Sequence, residues 1–297
     1  MNENKSYFAF SLINGLGPKN FQKIHSYFPS VTHAWQAPYV ELTRSGLSEK
    51  VVMEIMETRN RINIDEELEK VHSQDINIVT LSDNNYPRLL KQIPNPPFLL
   101  YYKGKLNDPR DSNSIAVVGT RKISEYGKQV TQNIVTELVK YNLSIISGLA
   151  SGIDAVAHQT CLDNNGRTIA VLGFGLNPSV FYPKENQRLA DEIISKDGLI
   201  LSEYPPHTRP ERYFFPQRNR IVAGLSLGTL VTEAPERSGA LITAKLALDY
   251  NREVFTVPGN IYSINSQGPH NLIQIGAKLV TTVDDIITEI PLELDSM

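Results

Sequence analysis

Cysteine is almost missing from this chain of 297 residues: Cys161 stands alone, inside a predicted helix. That excludes an intramolecular disulfide framework and leaves a metal site without a second sulfur. An excess of charge is missing too. With 29 Lys and Arg against 32 Asp and Glu the formal net charge is -3, so the chain is no basic coat for a polyanion, and basic patches must be sought segment by segment. No apolar run reaches the roughly 18 residues of a membrane span, and the N-terminus MNENKSYFAFSLINGLG has no basic region leading into a long apolar one. The expected location is the cytoplasm, without membrane contact. Ser-His-Asp spacing, a zinc-ligand cluster and a P-loop lysine pattern are also absent, so no catalytic residue, metal or cofactor is assigned.

What is present divides in two. Residues 1–75 carry apolar residues at helical spacing (Phe8, Leu12; Phe21, Ile24, Phe28; Val51, Val52, Ile55), which predicts a small all-α domain. Within it, INGLGPKNFQKI from Ile13 has the pattern of a helix-hairpin-helix turn that offers amides to a nucleic-acid phosphate. Equally, Gly15 and Gly17 join two short helices. The domain holds 8 basic and 10 acidic residues up to Asp75, and Asp65, Glu66, Glu67 and Glu69 read as a solvated helix face. From Ile76 the texture changes to short β-branched runs. INIVTL and a proline-rich stretch ending in PFLLYY precede SIAVVG (from Ser114), LSIISG (from Leu143), TIAVLG (from Thr168), LILSEY (from Leu199), TLVTEA (from Thr229), EVFTVPG (from Glu253) and KLVTT (from Lys278). Apolar strands alternating with helix-length gaps predict an α/β fold, a doubly wound and mostly parallel sheet covered on both faces. The expected division is 1–75, 76–291 and an acidic tail at 292–297, with no room for a further domain.

In such sheets ligands bind off the carboxyl ends of the strands. IISGLASGIDAVAH from Ile145 reads as strand, turn and helix, in which Gly148 and Gly152 permit a tight turn and close approach of another molecule. Ser151 or Asp154 would cap the helix and leave amides for an anion, although an ordinary βα turn looks the same. Arg121 follows a strand directly in VGTRK, and its planar fork suits a phosphate; Lys184 in YPKEN follows another. RPERYFFPQRNRIVAGLS interleaves Arg209, Arg212, Arg218 and Arg220 with Tyr213, Phe214 and Phe215, the chemistry of backbone tracking and base stacking. One or two of those rings belong to a core, and Asn219 to a turn. Glu233 and His158 are the candidate acid or base, His158 reading better as structural. GLSLGTLVTEA is similar to the GGxGTxxE stretch of the lysine-decarboxylase-like phosphoribohydrolases, but three residues instead of two separate Gly228-Thr229 from Glu233. On a strand that turns the carboxylate to the other face.

Seven motifs in order, VGTR, SGLASGID, YPKEN, FPQRNRIVAGLS, EAPERSGALITA, VPGN and NLIQIGA, together resemble the DNA-processing protein A family (DprA/Smf) over residues 76–290. The resemblance implies an extended Rossmann-like domain, preceded by a SAM-like or helix-hairpin-helix extension, that binds single-stranded DNA. Such proteins protect incoming DNA in natural transformation and load the RecA recombinase onto it, with no established catalysis. By motif position it places Gly119, Arg121, Ser147, Gly148, Lys184, Phe215, Arg218, Asn219, Arg220 and Lys245 at the DNA. It implies a homodimer through a late segment holding Leu272, Ile273 and Ile275. Many members carry a C-terminal winged-helix-like domain that this sequence lacks. The acidic balance before Asp75 predicts that the N-terminal domain is dispensable and that a chain starting near Gln74 folds and binds. The alternative reading is a nucleotide-cleaving enzyme of the phosphoribohydrolase type.

Overall fold

Six helices come first in the computed structural model, which describes residues 2–106 and 109–292. They are α1 (Glu3–Ser11), α2 (Pro18–Tyr27), α3 (Val31–Gln36), α4 (Tyr39–Arg44), α5 (Glu49–Arg61) and α6 (Ile64–His72). Asn2, Ser30 and Asn63 cap α1, α3 and α6 by accepting from first-turn amides, and Pro18 opens α2, where its missing N–H has no partner to lose. Gly15, at φ +79, turns the chain between α1 and α2. Ile13 and Leu16 of the same turn are buried.

The strands follow: β1 (Asn77–Thr80), then α7 (Arg88–Lys91) in the proline-rich stretch, β2 (Leu99–Gly104) and β3 (Ser114–Val118). Helices then alternate with strands: α8 (Glu125–Lys140), β4 (Ser144–Ser147), α9 (Ile153–Asp163), β5 (Thr168–Leu172), α10 (Gln187–Ser195) and β6 (Leu199–Ser202). After these come α11 (Phe214–Gly224), β7 (Gly228–Val231), α12 (Gly239–Asp249), β8 (Glu253–Thr256), α13 (Gln267–Gln274), β9 (Lys278–Leu279) and α14 (Asp284–Ile287). The sheet runs β1-β2-β6-β5-β4-β3-β7-β8-β9. Its first two pairings are antiparallel and the rest parallel. Every residue of β3 to β7 is buried, because helices cover both faces. The nine strands and the mostly parallel order are those read from the sequence.

The order reverses at β3. Strands β4, β5 and β6 stack on one side of it, while β7 and β8 lie on the other. The helix after β3, α8, packs on one face through Ile134, Val135 and Leu138; the helix after β7, α12, packs on the opposite face through Ala240, Ala244 and Ala247. Between adjacent strands whose helices depart to opposite faces a crevice opens at the carboxyl ends.

The helical layer shares its core with the sheet. One continuous core joins Phe8, Phe10, Phe21 and Trp35 of the first helices to Phe98, Tyr101, Leu172 and Phe174 on the sheet. Phe21 stacks on Phe98 with centroids 4.0 Å apart, and the Ser11 hydroxyl meets the Tyr101 hydroxyl at 2.6 Å. Charge balance, on which the idea of a dispensable domain rested, says nothing about buried rings. Of the acidic tail, residues 293–297 lie outside the described residues. Among the described residues no helix is long and apolar enough to cross a membrane, and no three His, Cys, Asp or Glu side chains gather as a metal site.

Candidate nucleic-acid interface

A cleft of about 710 Å³ occupies the crevice. The turn after β3 gives Gly119, Thr120 and Arg121; the turn after β4 gives Gly148, Ala150 and Asp154. The segment after β7 adds Pro235, Arg237 and Ser238, and α11 closes it with Phe215, Arg218 and Asn219. Four guanidinium groups, of Arg121, Arg212, Arg218 and Arg237, line it against one carboxylate, Asp154. Arg121 is exposed, with its Cζ 5.5 Å from the Phe215 ring centroid, a contact worth about 0.5 to 1 kcal/mol at an exposed site. Tyr182 and Pro183 share a smaller recess with Arg121 and Phe215.

The glycines serve the protein itself. A Cβ on Gly148 would lie 2.3 Å from the Arg218 guanidinium, and one on Gly152, at φ +83, would lie 2.3 Å from the Thr120 carbonyl oxygen. A Cβ on Gly119 would meet Ile153 at 2.4 Å. These residues let the turns lie against each other and over Arg218, and the molecule expected to approach Gly148 and Gly152 is in part the protein's own side chain.

Arg218 is the buried hub. It donates to the carbonyls of Gly148, at 2.6 Å, and of Val171. Burial holds its pKa down to about 10, against the pull of Asp154, and the nearby Arg121 lowers it further. Asp154 accepts from the amides of Gly148 at 3.1 Å and Ala150 at 3.4 Å. Burial raises its pKa, while Arg218 and those hydrogen bonds oppose the rise. Asp154 therefore braces the turn and does not cap the helix as expected: the N-cap of α9 is Gly152, with no side-chain cap, and the two amides that Asp154 takes lie before the first helical turn. Ser151 caps nothing here and donates to Glu185 at 2.9 Å.

Other expected residues are turned elsewhere. Ser147 is fully buried, donates to the Val117 carbonyl at 2.6 Å and does not line the cleft. Arg220 pairs with Glu203 inside the protein and donates to the Asn95 carbonyl at 2.8 Å. Asn219 reaches the cleft wall and donates to the Gly239 carbonyl at 3.1 Å, fixing the segment that carries Arg237. Lys184 is exposed directly after Pro183, beside the recess. Lys245 is exposed on α12 but does not line the cleft, whereas Gly239, Ala240 and Thr243 of the same helix do. The sequence reading missed Arg237, although it follows β7 much as Arg121 follows β3.

The two candidate acid-base groups are occupied. Glu233 is buried and accepts from the Ser124 amide at 3.0 Å, the Ser124 hydroxyl at 2.5 Å and the Asn265 side chain at 3.3 Å. It thereby fixes the N-terminus of α8, which Ser124 caps. His158 is buried against Thr168 at 2.6 Å. Because the Thr168 hydroxyl donates to the Ile145 carbonyl at 2.8 Å, the network assigns the His158 proton to Nδ1. Burial lowers its pKa to about 3, and the imidazole stays neutral.

The family model for DNA recombination-mediator protein A matches residues 77–291. Over 293 residues the chain is 42% identical to Protein Smf of Synechocystis sp., covering 97% of this chain and 73% of that protein. The X-ray structure of DNA processing protein A from Streptococcus pneumoniae superposes with a TM-score of 0.85 at 38% identity, over 99% of this chain and 100% of that one. A structure of DNA processing protein A from Helicobacter pylori, described for its unique single-stranded DNA binding mode, has a TM-score of 0.62 at 30% identity, over 72% and 94% of the two chains.

Proposed function

Since the chain belongs to the DNA recombination-mediator protein A family, we propose that its cleft binds single-stranded DNA. The observation that carries this reading is the convergence of four guanidinium groups and the Phe215 ring at one crevice of the sheet. Arg121, Arg212 and Arg237 track the phosphates, and Phe215 with Tyr182 stacks bases, each stacked base contributing about 1 to 3 kcal/mol. Lys184 extends the basic rim. Arg218 acts from below, holding the Gly148 turn in place and lending its charge to the cleft floor. Its similarity to the Helicobacter pylori protein supports the same ligand.

In the cell this protein protects incoming single strands during natural transformation and hands them to RecA. It works as a homodimer in which the exposed Ile261, Tyr262, Ile264, Ile275 and Leu279 meet a second copy. Of the residues first expected there, Leu272 is 6% exposed and belongs to the core, while Ile275 is 72% exposed. Nothing favours nucleotide cleavage, since Glu233 is held by Ser124 and Asn265.

The test is a binding titration of wild type, Arg121→Ala and Lys184→Ala with labelled oligothymidylate across a salt series. Both side chains are exposed, so each variant should keep its stability within about 0.5 kcal/mol. Each should bind more weakly, with the log-log salt slope smaller by about 0.7. Arg121→Ala should also lose stimulation of RecA filament assembly on the strand. Folded variants with wild-type affinity and slope would remove the strand from this cleft.

A further inference from the structure

On the helical layer lies a groove of about 640 Å³, lined by Lys19, Gln22, Lys23, Ser26 and Tyr27 of α2 and by Asn95. Lys19 and Lys23 are one helical turn apart on a single face. Lys23 is steadied by donating to the Gly46 carbonyl at 2.8 Å, and neither lysine pairs with a carboxylate among the described residues. Tyr27 is 47% exposed, and its ring meets Phe28 edge-on with centroids 4.9 Å apart. Two unneutralised cations beside an exposed, braced ring are the groups that hold a single strand, the cations on its phosphates and the ring under a base.

The groove is also connected to the cleft. Asn95, in its wall, has its carbonyl held by Arg220 of α11. At helical spacing Tyr213, Gln217 and Arg220 share one face of α11, while Phe215, Arg218 and Asn219 of the same helix line the cleft. Tyr213, at the N-terminal end of α11, is 58% exposed, and Gln217 accepts from the Tyr204 hydroxyl at 3.0 Å. From Tyr213 to Arg220 the helix rises about 10 Å, so this face carries the exposed Tyr213 and Gln217 toward Arg220, which pairs with Glu203 inside the protein and holds the groove wall at Asn95. We propose that this groove is a second contact for the strand. A single strand seated in the cleft leaves past Tyr213 and Gln217, lays phosphates on Lys19 and Lys23, and rests a base on Tyr27. This rests on the reading of the cleft as a strand site.

Strand length separates the two sites. Fluorescence anisotropy is measured with oligothymidylates of about 6 and about 20 nucleotides, one near the lower end of the usual span of one single-strand module and one beyond it. The full chain is used as wild type, K19E/K23E, K19R/K23R and R121A. K19E/K23E should bind the short strand like wild type and the long strand about tenfold more weakly, its long-strand salt slope falling by about 1.4 for two lost phosphate contacts. K19R/K23R should keep the wild-type long-strand affinity, and R121A should weaken both strands. If K19E/K23E holds the long strand as wild type does while R121A weakens both, the groove is refuted and the cleft stands. Equal weakening of both strands by K19E/K23E also refutes it. If wild type binds neither strand, both readings fall. Thermal melting monitors folding. Should the double variant melt early, Lys19→Gln, at a side chain with no hydrogen bond among the described residues, must still show half the slope change.

Discussion

Replacing Arg218 with methionine tests what holds the cleft in shape. Its guanidinium is buried, donates to the Gly148 and Val171 carbonyls, and is the counter-charge of the buried Asp154. Methionine fills most of the stem and supplies no charge. Leaving a carbonyl buried without its donor costs about 1 to 3 kcal/mol, and Arg218 serves two of them while its charge favours the ionised Asp154. These overlap, so the expected loss is about 4 kcal/mol at neutral pH. The pH dependence identifies the cause. Asp154 has a folded pKa raised above its ordinary value, by burial first. Such a group destabilises the fold when ionised, and this penalty fades as pH falls through the folded pKa toward the unfolded value near 3.9. Without Arg218 the folded pKa rises further, so the R218M deficit should shrink between pH 7 and pH 5. Asparagine at 154 removes the charge and keeps an oxygen for the Gly148 and Ala150 amides. R218M/D154N should therefore regain about 0.5 to 3 kcal/mol over R218M alone, the usual coupling of residues in one hydrogen-bond network, here the two ends of the Gly148 turn. Urea unfolding followed by circular dichroism at both pH values measures all four states of the cycle. A deficit equal at pH 7 and pH 5, and unrelieved by D154N, would show that Asp154 and Arg218 do not act as a pair.

Three further outcomes are expected. A chain starting at Gln74 loses the helices that cover Phe98, Tyr101, Phe174 and Phe181, and should aggregate or bind a hydrophobic dye; Phe21→Ala in the full chain should cost about 3 to 5 kcal/mol. A soluble, cooperatively melting chain without α1 to α6 would refute the shared core. Sedimentation at micromolar concentration should show a wild-type dimer and an Ile275→Glu monomer, because Ile275 is 72% exposed among Ile261, Ile264 and Leu279; a wild-type monomer at all concentrations would refute the interface.

How much of this was legible follows from which forces are local. Strands such as Ser114–Val118 and Thr168–Leu172 announce themselves because burial on both faces demands continuous apolar runs. Arg121 was legible for a similar reason: a residue just past a strand end must emerge at the sheet's carboxyl edge. The same rule reaches Arg237 after β7, but only the strand order brings β7 beside β3 and makes the two arginines face one cleft. Arg218 and Arg220 looked equivalent in the sequence, yet two residues on a helix differ by about 200°. That sends one under the Gly148 turn and the other to Glu203. Gly148 shows the limit most plainly. A glycine reports that something comes within reach of a missing Cβ, and nothing local distinguishes a ligand's phosphate from the protein's own guanidinium. Whole-segment charge is blind in the same way, since the 8 basic and 10 acidic residues up to Asp75 average over a face of α2 where Lys19 and Lys23 stand without a carboxylate among the groove's lining residues. A binding surface is a property of one face of one helix, so its charge has to be counted there.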